Sequence, residues 1–278
     1  MRIPILTYHS MRIHGNDYHS NDHIALRDDL RTLTTHGFEV VSLSQIVQWL
    51  TVEDMRLASG RSLVGIAFDD GCDFDFHDLP HPTWGVQRSM LGIMQDFRAG
   101  SEAAASTLHA TSFVIVSPDA RRELDRTCML GRDWWRDDWW ERAISTGLLA
   151  IGNHSWDHNH PTLCSAEQSN RPSGTFKIID NFDDAEMQIA QASEYLRTKA
   201  PNTGTELFAY PYGEATDYLV REYFPLYGAR IGIRAAFTCE AMPVTENCNR
   251  WMLPRYVFAH DWKTPAELVS ILRDAQVP

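Results

Sequence analysis

Three short polar clusters in the chain carry residue types able to do chemistry. AFDDGCDFDFHD, Ala67 to Asp78, puts five aspartates into twelve residues directly after the apolar run SLVGIAF. IGNHSWDHNHP carries His154 and His158, and FAYPYG ends in Tyr210-Pro211-Tyr212-Gly213. Adjacent carboxylates repel, and at the end of a buried strand they are costly unless a cation compensates them. The His-x-x-x-His spacing sets two imidazoles on one side of a helical turn, close enough to share a metal. Two imidazoles and one carboxylate hold a divalent ion with positions left open for water or substrate, as catalysis needs. Alone the spacing says little: it lacks the glutamate of a zincin helix, and such pairs are more often surface or capping residues. A dication would also relieve the repulsion between Asp69 and Asp70.

Each cluster follows an apolar run that reads as a strand, and the runs alternate with amphipathic helical patterns. Strands are predicted at Ile3–Tyr8, Phe38–Leu43, Leu63–Phe68, Thr111–Val116, Leu148–Gly152, Leu207–Tyr210, Ala235–Thr238 and Leu253–Phe258. Helices are expected at Ala25–His36, after a Ser44 cap, at Arg88–Arg98, through DWWRDDWWERAISTG, and at Asp183–Lys199 and Pro265–Ala275. Such alternation means a parallel α/β sheet, barrel or doubly wound, whose C-terminal strand ends share one face. The G-x-G-x-x-G dinucleotide turn is absent. One domain over 1–278 is expected, with residues 74–108 inserted over one end, their opening HDLPHPTWG reading as loop and Ser117-Pro118 as a break.

The formal net charge of -12 over 278 residues excludes a polyanion partner, so neither nucleic acid nor an anionic membrane surface is expected. Five cysteines without a CxxC read as free thiols, with a Cys239–Cys248 pair left open. No run approaches the roughly 18 apolar residues of a membrane span. MRIPILTYHS reads as a strand rather than a signal peptide, which makes cytoplasmic the default and extracytoplasmic the reading if a leader precedes it.

FDDG, NHSWDH and FAYPYG, in that order after predicted strands, resemble the polysaccharide deacetylase family of carbohydrate esterases. ILTYHSM and the late LPR are similar to the branch that includes poly-N-acetylglucosamine deacetylases. The resemblance runs from about Ile5 to about Leu272, the insertion excepted. It implies a distorted (β/α) barrel of about seven parallel strands and a metal-dependent N-deacetylase. On it, Asp69 is the catalytic base, and Asp70, His154 and His158 hold one divalent ion, zinc first, with cobalt or nickel as alternatives. The Tyr212 N–H helps hold the oxyanion and Pro211 shapes that wall. His260, in Phe258-Ala259-His260, stands where many members place a general acid in Leu-x-His. Arg255 of LPR orients Asp69, or else makes an ordinary salt bridge. Two departures stand out: Ala209 replaces the arginine many members carry before the third motif's proline, and the fourth, Trp-containing motif has only Asp261-Trp262 and Arg250-Trp251 as loose candidates.

His9, at a strand end, is a candidate to line the pocket. Trp156, with Trp84 and Trp262, offers faces for sugar rings, whereas Trp134, Trp135, Trp139 and Trp140 read as helix packing. His77 and His81 read as solvated loop residues or as a cap on the site. The expected substrate is an N-acetylated sugar or polysaccharide. Two alternatives stay open: a small non-sugar amide, or a catalytically silent carbohydrate-binding protein. The sequence leaves the oligomeric state open.

Overall fold

Apolar runs such as SLVGIAF are continuous rather than alternating because their strands are covered on both faces. In the computed structural model, which describes residues 1–51, 60–100, 107–163, 173–201 and 206–276, they form one parallel sheet. Its strands are β1 (Ile5–Tyr8), β2 (Phe38–Val40), β3 (Ser62–Phe68), β6 (Ala110–Val114), β7 (Leu149–Asn153), β8 (Leu207–Ala209), β9 (Ala235–Phe237) and β10 (Tyr256–Val257), while β4 (Leu79–His81) and β5 (Gly85–Gln87) make a separate hairpin. Seven run in the order β10-β1-β3-β6-β7-β8-β9, and β2 pairs with the start of β3. Leu253 pairs with Phe237 of β9, and Tyr256 pairs with Leu6 of β1. The segment 253–257 therefore joins both edges of the curled sheet, giving the distorted (β/α) barrel expected.

Side chains alternate between two layers, as strand geometry requires. Ile5, Ala67, Phe113, Leu207, Ala209, Phe237 and Leu253 form one buried cluster. Leu6, Tyr8, Val64, Ile66, Phe68 and Ile151 face the other way, against the helices α1 (Asp22–Thr35), α3 (Met90–Gly100), α5 (Trp140–Ser145), α7 (Gln191–Lys199) and α9 (Pro265–Gln276). The register sets Tyr8 beside Phe68, Phe68 beside Ser112, Val114 beside Asn153, and Asn153 beside Phe208. The residues that follow, His9, Asp69, His154 and Tyr210, leave the sheet at one end.

Several local expectations change. The α2 helix (Leu43–Thr51) is capped by Ser42, whose hydroxyl accepts the Gln45 N–H, not by Ser44. Ser117-Pro118 starts a helix instead of breaking the chain: Ser117 caps α4 (Pro118–Cys128), and proline at its first position needs no hydrogen-bond donor. The expected helix through the tryptophans is only α5, because the N–H groups of Asp133, Trp134 and Arg136 are spent on the side chains of Asp125 and Asp73. HDLPHPTWG is not all loop: it holds strand β4 and the turn 82–84 that enters β5 at Gly85 (φ 75°). Helix α6 (Phe182–Ala185) continues through a π turn (Glu186–Ala190) into α7, and α8 (Phe224–Ile231), preceded by a second π turn, was not anticipated. Cys72, Cys128, Cys239 and Cys248 are free thiols, and Cys164 lies outside the described residues. Among the described residues no helix is long and apolar enough to cross a membrane.

Candidate metal and catalytic site

Asp69 is the first residue beyond β3, and its N–H donates to the Tyr8 carbonyl. Its buried carboxylate accepts two parallel bonds from Arg255, Nη1 to Oδ1 at 2.7 Å and Nη2 to Oδ2 at 2.9 Å. Arg255 is itself wholly buried; its Nε donates to the Thr238 carbonyl, and its guanidinium lies over the Phe113 ring. Burial pushes the Asp69 carboxyl up, but the charge and the paired bonds of Arg255, with a smaller contribution from the neighbouring His154, outweigh it and bring the pKa to about 2. Asp69 is thus an anion held in one orientation by a planar fork. Arg255 sits in the 253–257 segment, so closing the barrel delivers it.

Asp70 turns the chain at φ 75°, a conformation few residues other than glycine adopt. Gly71 follows at φ 72°, where an added Cβ would stand 2.3 Å from Val114 Cγ1. The Asp70 carbonyl accepts from Ile115 N–H and Trp135 Nε1, both at 3.1 Å, which holds the turn. Across the sheet, His154 Nδ1 lies 2.9 Å from the Ala209 carbonyl. A carbonyl only accepts, so Nδ1 carries the proton and Nε2 is left bare, 3.7 Å from Asp70 Oδ1. His158 Nε2 is 3.8 Å from the same oxygen.

The two histidines do not lie on a helical turn, as their spacing suggested. They lie in a loop where Ser155 and His158 take φ of 69° and 63°. Asn153 Oδ1 accepts the Ser155 N–H, and Ser155 Oγ accepts the His158 N–H. From outside, the π turn presents the Gln188 carbonyl to Trp156 N–H and the Ile189 carbonyl to Asn153 Nδ2, at 2.8 and 3.0 Å. Side-chain bonds thus replace helical geometry in bringing the rings to 4.9 Å.

Asp70, His154 and His158 fit a metal by their donor chemistry. They are the one such group of three among the described residues, with ligand atoms all within 4.8 Å of one another. Tetrahedral ligands at zinc bond lengths stand about 3.3 Å apart, slightly closer than the distances here. Burial and the neighbouring His154 push the His158 imidazole well down, keeping it neutral as coordination requires.

The other expected residues divide. Pro211 is buried at the start of its turn, and Tyr212, at φ 59° and 40% exposed, sets its ring 4.4 Å from that of His158. His9 donates its backbone N–H to Asp22, and it leaves β1 directly after Tyr8, whose carbonyl accepts the Asp69 N–H, so the two residues leave adjacent parallel strands side by side. His260, with its side chain 81% exposed, bonds to Asp261 and to no member of the cluster. Trp156 turns its ring edge-on to Tyr195 in the helix layer. Trp262 is buried and donates to Asp29, so it offers no face to a sugar. Trp139 and Trp140 pack in the core, as expected. Of the remaining aspartates, Asp73 accepts from Arg136, and Asp78 accepts from Arg88 and Ser89. Asp75 does not merely begin the insertion: it is fully buried, bonded by Ser112, and raised by burial to about 7. Asp22 and Trp135 were missed, because nothing in local spacing marks a contact made across the fold.

No protein-family sequence model and no curated protein sequence matches the chain. Solved structures do. The Streptococcus pyogenes deacetylase PplD, in complex with acetate, superposes with a TM-score of 0.64 at 17% identity, over 98% of each chain. IcaB from Ammonifex degensii gives 0.64 at 18%, over 99% of this chain and 97% of its own. A polysaccharide deacetylase from Bacillus cereus gives 0.59 at 13%, over 98% of this chain and 69% of its own. This is the polysaccharide deacetylase fold. In that fold, the expected motifs of this chain lie where its strands end, Asp69 and Asp70 after β3, His154 after β7 and Tyr210 after β8.

Proposed function

We propose that the protein is a metal-dependent N-deacetylase acting on N-acetylated sugars or polysaccharides. The observation that carries it is an arginine-clamped carboxylate directly beside a carboxylate and two imidazoles with ligand spacing. Asp70, His154 and His158 hold one divalent ion, zinc first. Bound there, the ion makes water more acidic and polarises a carbonyl. Asp69, an anion held in one orientation by Arg255, would take the proton of the attacking water. The Tyr212 N–H makes neither of the turn's bonds, which come from Gly213 and Glu214, and donates to the oxyanion of the acetamide. The leaving amine needs a proton. His9, which leaves β1 next to Asp69 at the end of β3, is the candidate to give it, ahead of the exposed His260.

PplD and IcaB bear on the reading as a deacetylase and as a neighbour of like fold. A catalytically silent binding protein would gain nothing from a buried anion beside a ligand triad. A small non-sugar amide remains the second substrate class. The test is acetate release from N-acetylglucosamine oligomers and from small acetamides, with zinc, comparing the wild type with Asp69→Asn. Release that falls at least about 10²-fold in the variant supports the reading. Equal release in both proteins removes Asp69 from the chemistry.

A further inference from the structure

The segment after β1 is held by three consecutive residues at the start of α1. Asp22 is fully buried; its Oδ2 accepts the His9 N–H at 2.8 Å and its Oδ1 accepts Arg12 Nη1 at 3.1 Å. The Asp22 N–H donates to the Arg12 carbonyl, and the Arg12 N–H donates to the His9 carbonyl, so residues 9–12 are tied into a turn. His23, also buried, sets one ring nitrogen 2.8 Å from the Ser10 carbonyl and the other 2.7 Å from the Arg88 carbonyl. Asn21 caps α1 and donates from Nδ2 to Gln87 Oε1 at 2.7 Å. Gln87 closes the hairpin on itself, donating to the Trp84 and Gly85 carbonyls. The β4–β5 insertion thus grips the residues on either side of Asp22, and Asp22 grips His9.

We propose that Asp22 is the positioning residue of His9, and that the insertion braces Asp22 through Gln87 and Arg88. This rests on the reading above, in which His9 protonates the departing amine. Asp22 touches neither substrate nor metal ligand; it acts by holding the backbone from which the imidazole projects. The contacts of Asn21 with the Gln87 amide oxygen and of His23 with the Arg88 carbonyl are short and largely buried, so the brace is rigid rather than a lid. A displaced proton donor loses rate while the binding surface is retained.

The test compares Asp22→Asn, Gln87→Ala and, as a control, Asp96→Ala, which cuts an exposed ion pair of the Arg88 side chain and leaves the Arg88 carbonyl, the atom that meets His23, in place. Asp22→Asn should lower kcat about 10- to 100-fold with KM little changed and zinc stoichiometry intact. Gln87→Ala should lower kcat several-fold by the same route, and Asp96→Ala should not. A folded Asp22→Asn variant with kcat within about twofold of wild type overturns the proposal. If Asp22→Asn does not fold, Gln87→Ala decides: unchanged kcat overturns the brace. A readout independent of activity separates this proposal from the reading of function. In metal-free protein the His9 imidazole should give one sharp set of ¹H–¹⁵N correlations in wild type and Asp96→Ala, and a broadened or doubled set in the brace variants. Identical spectra in wild type and the brace variants overturn the proposal, even if no acetate is released by any of them.

Discussion

Replacing Arg255 by methionine keeps much of the volume of a wholly buried side chain and removes its charge. In the wild type the Asp69 carboxyl stands at about 2 against an ordinary 3.8. A lowered carboxyl contributes stability that is present above 3.8 and lost as pH falls through about 2. The gap corresponds to about 2 kcal/mol. Without the guanidinium, burial is the largest effect left on Asp69, and it acts in the opposite direction. The carboxyl then rises above its ordinary value, and the variant loses stability as pH climbs through the raised pKa. Leaving one partner of a buried pair uncompensated costs about 3–5 kcal/mol. Urea unfolding of chelator-treated wild type and Arg255→Met, at about pH 4 and about pH 7, reads both effects. With a slope near 3 kcal/mol per molar for a chain of this size, the midpoint should drop by about 1 M or more at neutral pH. The deficit should shrink by about 2 kcal/mol at the lower pH, where Asp69 of the variant is protonated. A deficit independent of pH, or one under about 1 kcal/mol at neutral pH, refutes the clamp.

Metal analysis after reconstitution should find about one zinc per chain in the wild type and much less in His158→Ala, since two remaining ligands rarely hold the ion; equal occupancy would exclude His158 as a ligand. Asp29 accepts bonds from Tyr8, Tyr18 and Trp262, yet burial lifts it to about 6, so its contribution is full below 3.8 and declines, by about 3 kcal/mol, as pH rises through 6. Asp29→Asn should flatten the stability profile over that window, and an unaltered slope would assign the effect elsewhere. Gly71→Ala should lose about 3 kcal/mol in thermal or urea unfolding, because the methyl group meets Val114 in a left-handed turn; wild-type stability together with wild-type zinc affinity would show that the turn relaxes freely.

Asp69, Asp70, His154, His158 and Pro211-Tyr212 were legible because each follows an apolar run, and parallel strands bring such ends to one face whatever separates them in sequence. All eight strands of the main sheet were legible, most of them because runs covered on both faces stay apolar throughout. Helix starts at Ser42 and Pro118, and the short hairpin in the insertion, were not: their signals lie in one or two residues that read equally as loop.

The residue types and spacing by themselves pointed to a carboxylate pair and two imidazoles meeting at the C-terminal end of a parallel sheet, barrel or doubly wound; the barrel was what the family resemblance implied. Tertiary structure decided the rest. Arg255 reaches Asp69 across 186 positions only because residues 253–257 close the sheet. That contact turned an open choice between an orienting arginine and an ordinary ion pair into a bidentate clamp. His260 ends exposed beside Asp261, whereas His9 leaves β1 next to Asp69 at the end of β3. Trp262, a candidate sugar platform by composition, ends in the core against Tyr8 and Asp29. Local sequence encodes strand ends and turns through short-range sterics and hydrogen bonds. Which ends face each other is set by burial summed over the whole chain, and no single motif carries that sum.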